Sequence, residues 1–179
     1  MLPDPLHPSV VHFPIVLTFL LPISVIVAIW VIRKSATPRR VWSAPLAIAA
    51  ALWVSAFVAT RTGENEEERV ESVVASERFI HDHEESAERF LLLSGVLLLV
   101  AGTGLFGGVV GRAGRLVTAA GALGLVGAAY QVGQSGGELV YRHGAAAAYV
   151  EGAPESADLA RAGSDDRSGR RGDGDDDDR

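Results

Sequence analysis

Four apolar segments, each about as long as a membrane's hydrocarbon core is thick, restrict this chain more than any other feature. A helix rising ~1.5 Å per residue crosses that core with about 20 mostly apolar residues. Segments 10–32, 41–60, 90–110 and 116–135 meet the requirement. They predict an all-α fold: an integral membrane four-helix bundle over residues 1–150, followed by an acidic, disordered tail over 151–179 that holds too few apolar residues to offset the entropy of ordering. The first three segments are strongly apolar, whereas the fourth is built from Gly and Ala, with Gln131 and Gln134 near its end. Small residues four apart, Ala120, Gly124 and Ala128 in the fourth and Gly104 with Gly108 in the third, predict rows of close helix contact. The same glycines are equally consistent with the general tolerance of membrane helices for Gly.

Charge sets the expected orientation. Arg33, Lys34, Arg39 and Arg40 follow the first segment and no basic residue precedes it, so positive-inside bias predicts an amino terminus outside the cytoplasm. Arg112 and Arg115, read as a short turn between the third and fourth segments, fall on the same cytoplasmic side. The expected product is a multi-pass cell-membrane protein with both termini extracytoplasmic. Nothing basic precedes the first apolar run, and that run is too long for a signal peptide's core, so it is expected to stay in the mature chain. The formal charge of −6 and the lack of a dense basic patch give no nucleic-acid footprint, which leaves the lipid bilayer as the expected partner. With no cysteine, thiolate metal sites, disulfides and cysteine nucleophiles are excluded, and any metal falls to His, Asp, Glu, Tyr or Met.

The connection between the second and third segments is acidic from Glu64 to Glu88, yet Val73, Ile80, Ala87 and Phe90 recur at helical spacing. This predicts a third helix that starts well outside the lipid, capped at Asn65 or Ser72. All five histidines, His7, His12, His81, His83 and His143, fall on the predicted outer side. At about 100° per residue, His83 shares a face with Phe79, Ile80, Ala87 and Phe90, while His81 is turned roughly 160° away among Glu77, Glu84, Glu85 and Glu88. His83 is therefore expected to face the bundle and His81 the solvent. His143, in a segment reading GGELVYRHG, reaches a height similar to that of His83 if the fourth helix continues. Gly136 and Gly137 beneath it either admit a close neighbour or end that helix. His12 sits at the mouth of the first helix, where Pro14 leaves the Val10 carbonyl without its usual donor and His7 precedes Pro8 as a flanking residue. An imidazole at the membrane edge is costly unless partnered, so His12 is a third candidate.

In combination, His7-Pro8, Val11-His12-Phe13-Pro14, Arg61-Thr62-Gly63-Glu64, His83-Glu84 with Ala87, Gly136-Gly137 with Leu139-Val140-Tyr141, and His143-Gly144 resemble the membrane family called domain of unknown function 2231. The resemblance covers about residues 5 to 150. It implies a four-helix membrane domain without a settled activity and, because related domains occur beside cytochrome c modules, a redox setting. Its motif positions here are His7, His12, Glu64, His83 and His143, with His81 outside the pattern. No CxxCH motif is present, so a c-type haem of the chain's own is excluded.

Two function classes follow. In one, His83 and His143, with His12 as third candidate, ligate haem b or a metal ion and pass electrons to an extracytoplasmic protein; His7, Glu64, Glu84, Gly136, Gly137 and Tyr141 surround the site. In the other, the histidines make interhelical hydrogen bonds in a membrane scaffold or partner subunit, including a homo-oligomer. Transport, which would need ionisable groups within the membrane's middle, ranks behind both, since Thr18, Ser24, Ser55 and Ser94 are the modest polar candidates there in the first three helices. An enzyme is unsupported: a di-iron bundle needs carboxylates on several facing helices, and here they crowd onto one.

Overall fold

The computed structural model describes residues 6–72, 74 and 77–149. Val73 of the expected stripe and the acidic tail 151–179 lie outside them. Among the described residues six helices run α1 (His7–Val10), α2 (His12–Ile32), α3 (Pro38–Glu64), α4 (Glu67–Glu71), α5 (Glu77–Thr103) and α6 (Gly108–Tyr141), followed by a 3-10 turn, Ala145–Tyr149. No strand occurs among the described residues. Four helices among the described residues are long and apolar enough to cross a membrane: the α1–α2 unit (His7–Ile32), α3, α5 from Arg78, and α6. Helices satisfy their backbone polar groups internally, which lipid demands.

The four close into a ring in which α2 packs on α3, α3 on α5, α5 on α6 and α6 on α2. Large apolar side chains point outward: Phe13, Phe19, Ile23, Trp30, Leu99 and Val109 are all exposed. Leu21, Val25, Leu52 and Leu125 fill the interior with alanines, Trp42 and three buried hydroxyl residues, Thr18, Ser94 and Thr118. Lipid is as apolar as leucine, so this bundle is held by close packing and internal hydrogen bonds rather than by expelling side chains from water. Each buried hydroxyl donates to its own helix: Thr18 to Pro14 O and Thr118 to Gly114 O, both at 2.7 Å, and Ser94 to Leu91 O at 2.8 Å.

A second, smaller core sits at the acidic end. Val74, Ile80, Leu139 and Ala145 pack together with Val70, so the first turns of α5, the last turns of α6, α4 and the 3-10 turn form a cap over the main bundle. Glu77–Arg89 is too charged to enter hydrocarbon, which bears out the expected extension of the third membrane helix. Asn65 and Ser72 do not start that helix: they close α3 and α4.

Two expectations at the opposite end are corrected. The third membrane helix stops at Thr103 rather than 110, and α6 begins at Gly108, whose φ of 67° is a left-handed conformation natural to glycine. Arg112 and Arg115 thus lie in the first turns of α6, and the connecting turn is 104–107. Of the small-residue rows, Gly104 is a close-contact position as expected, whereas the row in α6 is out of phase. Ala120 and Gly124 are exposed, while Gly111, Gly114 and Thr118 are buried. Close approach occurs at Gly114 against Thr103, Gly121 against Leu97, and Gly104 beneath the Trp42 ring. Small residues line more than one face of α6, so their spacing alone does not select the packed one.

Candidate functional site

The acidic end gathers two imidazoles from distant parts of the chain. The amino-terminal helix is interrupted at Val11, one residue after the Val10 carbonyl that Pro14 deprives of its donor, and α1 packs against the end of α3. Glu66 anchors it: Oε1 accepts the backbone N–H of Leu6 at 2.8 Å and of His7 at 3.0 Å. His7 Nδ1 lies 2.9 Å from Ala59 O and 3.3 Å from Thr62 Oγ1. The Thr62 hydroxyl itself donates to Ala59 O at 2.9 Å. A Cβ added to Gly63 would meet His7 Cε1 at 3.2 Å, so glycine leaves the space that this ring occupies.

His83 stands on the bundle-facing side of α5, as its helical phase predicts. Its Nδ1 is 2.9 Å from Ser135 Oγ, and Ser135 donates to Val132 O at 3.1 Å. A Cβ on Gly136 would come within 2.9 Å of His83 Cε1. The glycine is the close approach, and α6 continues past it to Tyr141 rather than ending there.

Proton bookkeeping fixes the neutral tautomer of His7 and gives a matching one for His83. Ala59 O can only accept, so His7 Nδ1 carries the hydrogen. With the Ser135 hydrogen on Val132 O, its oxygen accepts from His83 Nδ1; the same distances also allow Ser135 to donate to Nδ1, which would move the ring hydrogen to Nε2. In the first arrangement each neutral ring holds its lone pair on Nε2, and neither Nε2 makes a side-chain hydrogen bond among the described residues. The ring centres are 6.5 Å apart, with planes at 84°. Two imidazoles on one ion, with metal–nitrogen bonds of ~2.0–2.1 Å, have ring centres about 5–6.5 Å apart. An Nδ1–H held by a carbonyl or hydroxyl is the arrangement that orients a ligating histidine.

The other candidates fall elsewhere. The ring contact His83 makes is with His7, and the one His143 makes is with Phe79. His143 stacks on Phe79, ring centres 3.6 Å apart and planes 15° apart, one turn of α5 (~6 Å) beyond His83. His12 is exposed on α2 and makes no side-chain hydrogen bond among the described residues. His81 faces outward, with Nδ1 3.8 Å from Glu84 Oε2. Glu64 pairs with Arg61 at 2.7 Å, Gly137 has open space above its Cα, and Tyr141 is exposed. No group of three or more His, Asp or Glu with metal-holding geometry occurs among the described residues. Sequence reasoning missed Ser135, Glu66 and the orienting part of Thr62. The signal for Ser135 was its position beside Gly136; for Glu66, at a charged helix end, the sequence carries none.

A family model described as "Predicted membrane protein (DUF2231)" matches residues 3–148. No curated protein and no solved structure matches the chain.

Proposed function

The chain belongs to the DUF2231 family of predicted membrane proteins, and from that premise we propose that it is a membrane module holding a transition-metal ion between His7 and His83 at its acidic end. The observation that carries the reading is the pair of Nε2 lone pairs left over once both Nδ1 hydrogens are assigned, on rings 6.5 Å apart. Neutral imidazole suits zinc, copper, nickel or iron, and water or an exogenous group completes the coordination. The 6.5 Å between ring centres corresponds to nearly collinear N–metal–N bonding, which a two-coordinate ion and the trans axial positions of haem b both present, so the two are separated by experiment. On positive-inside grounds the site faces away from the cytoplasm of a cell membrane, accessible to an extracytoplasmic partner in a redox setting.

The test is equilibrium dialysis of the purified full chain against Zn²⁺ or Co²⁺, followed by elemental analysis. About one ion per chain is expected, lost in His7→Ala and in His83→Ala and retained in His12→Ala and His143→Ala. A Soret band on haem addition that vanishes in His83→Ala would replace the bare ion with haem.

The second reading is a scaffold in which the histidines are interhelical clasps, and a specific observation favours it: each Nδ1 ties its own helix to a neighbour, α1 to α3 and α5 to α6. Loss of stability in the histidine variants, with no ion bound to the parent chain, would establish it and overturn the metal site.

A further inference from the structure

The opposite end of the bundle carries a second constellation that the histidine site does not use. Arg33, Lys34, Arg39, Arg40, Arg112 and Arg115 all lie there. The chain has no Asp or Glu between Asp4 and Glu64 or between Glu88 and Glu138, so among the described residues these cations have no carboxylate at their own end. Three of them converge on one pocket of about 280 Å³, bounded by Ile32 of α2, Arg39 of α3, Leu105 and Phe106 of the α5–α6 turn, and Arg112 and Arg115 of α6.

The arginines are partly fixed and partly free. Arg39 donates Nε to Leu105 O at 3.1 Å and Arg115 donates Nε to Gly104 O at 2.9 Å, which pins both guanidinium groups to the turn. Their terminal nitrogens, and the whole of Arg112, have no hydrogen-bond or ion-pair partner among the described residues. The pocket also takes in Gly107 and Gly108 at the start of α6, where first-turn amides point away from the helix.

We propose that this pocket binds the phosphate-bearing headgroup of an anionic phospholipid, with an acyl chain lying along the adjoining apolar surface. A phosphate diester matches planar guanidinium donors in shape and charge. The source is a lipid rather than a soluble anion because the pocket opens beside exposed Phe106, Val109 and Val110, whose surface suits a hydrocarbon chain. Trp30 is also exposed at this end, with Lys34 Nζ 5.2 Å from its ring centre, an amphipathic pair of the kind that settles at the headgroup level. Basic pockets between membrane helices, with a lipid-facing apolar flank, recognise anionic headgroups by this chemistry.

The experiment uses the full chain in detergent micelles supplemented with equal amounts of phosphatidylglycerol and phosphatidylcholine, read by native mass spectrometry for lipid retained on the protein. The expected result is one phosphatidylglycerol per chain in preference to phosphatidylcholine. Arg112→Gln, which removes a side chain without a protein partner, should weaken retention about tenfold, the scale of one charged hydrogen-bonding group. Arg40→Gln removes the same charge from an exposed position outside the pocket and should change it less than about twofold. Equal losses in the two variants, or in neither, would overturn the site. Displacement of the lipid by millimolar glycerol 3-phosphate or inorganic phosphate at equal affinity would overturn the lipid as its source.

Discussion

His83 occupies a volume that exists only because position 136 has no side chain. A Cβ there would sit 2.9 Å from Cε1, and the ring cannot easily withdraw because Nδ1 is held by Ser135 at 2.9 Å. In an exposed helix interior, Gly→Ala gains about 0.5–1 kcal/mol of backbone entropy, so the sign of the effect is itself informative. We expect Gly136→Ala to destabilise the bundle by about 1–3 kcal/mol through overpacking. In a His83→Ala background the same substitution should be neutral or stabilising, because the colliding ring is gone. Unfolding of the four chains of this double-mutant cycle in micelles checks it, and additive effects would contradict the contact. Gly63→Ala, whose Cβ would meet His7 at the looser 3.2 Å, should cost less than Gly136→Ala.

Between elements, α3 and α5 are joined by an indole. Trp42 is fully buried, and its Nε1 donates to Ala101 O at 2.8 Å across the helix interface. Gly104, where a Cβ would intrude on the ring, lets the indole lie against the end of α5. Trp42→Phe keeps most of the packed ring and removes the interhelical hydrogen bond, so a loss of about 0.5–1.5 kcal/mol is expected, as measured for comparable bonds inside membrane proteins. Trp42→Ala also empties the space and should cost about 3–5 kcal/mol. Denaturant titration in mixed micelles separates the two; equal losses would mean that the hydrogen bond, not the volume, dominates.

The same elements mark what the sequence made legible. Segment length alone identified all four membrane helices, because hydrocarbon thickness is a hard bound that each apolar run either meets or misses. Their ends were less legible: apolarity continues through Leu105, Phe106, Val109 and Val110 although the chain turns at 104–107. Helical phase put His83 toward the bundle and His81 away from it, since that depends only on the angle per residue. It did not give the ring partner of His83: the sequence paired it with His143 and set His7 among the surrounding residues, because which of the two approaches depends on how helices far apart in sequence are set against one another. Glu66 anchoring His7 is a contact across 59 residues that no local pattern encodes.

At the scale of the whole molecule, charge is divided between the two ends. Among the described residues the six cations at the α2–α3 and α5–α6 turns face no acid, while the acidic run beginning at Glu64 lies at the other end with His7 and His83. Short basic loops resist translocation, so this division predicts that the turns remain in the cytoplasm and the histidine end is exported. The chain has no cysteine, which makes single introduced thiols clean reporters. Ser35→Cys, in the α2–α3 turn, and Glu71→Cys, exposed at the end of α4, should react with a membrane-impermeant maleimide from opposite sides. In intact cells Glu71→Cys should label and Ser35→Cys should label only after permeabilisation. The reverse pattern would place the histidine pair in the cytoplasm, where an extracytoplasmic electron-transfer partner could not reach it, while leaving the geometry of the pair untouched. Substituting Arg33, Lys34, Arg39 and Arg40 together by Gln, in the Ser35→Cys chain, should then raise labelling from outside, because the asymmetry that fixes orientation rests chiefly on that turn.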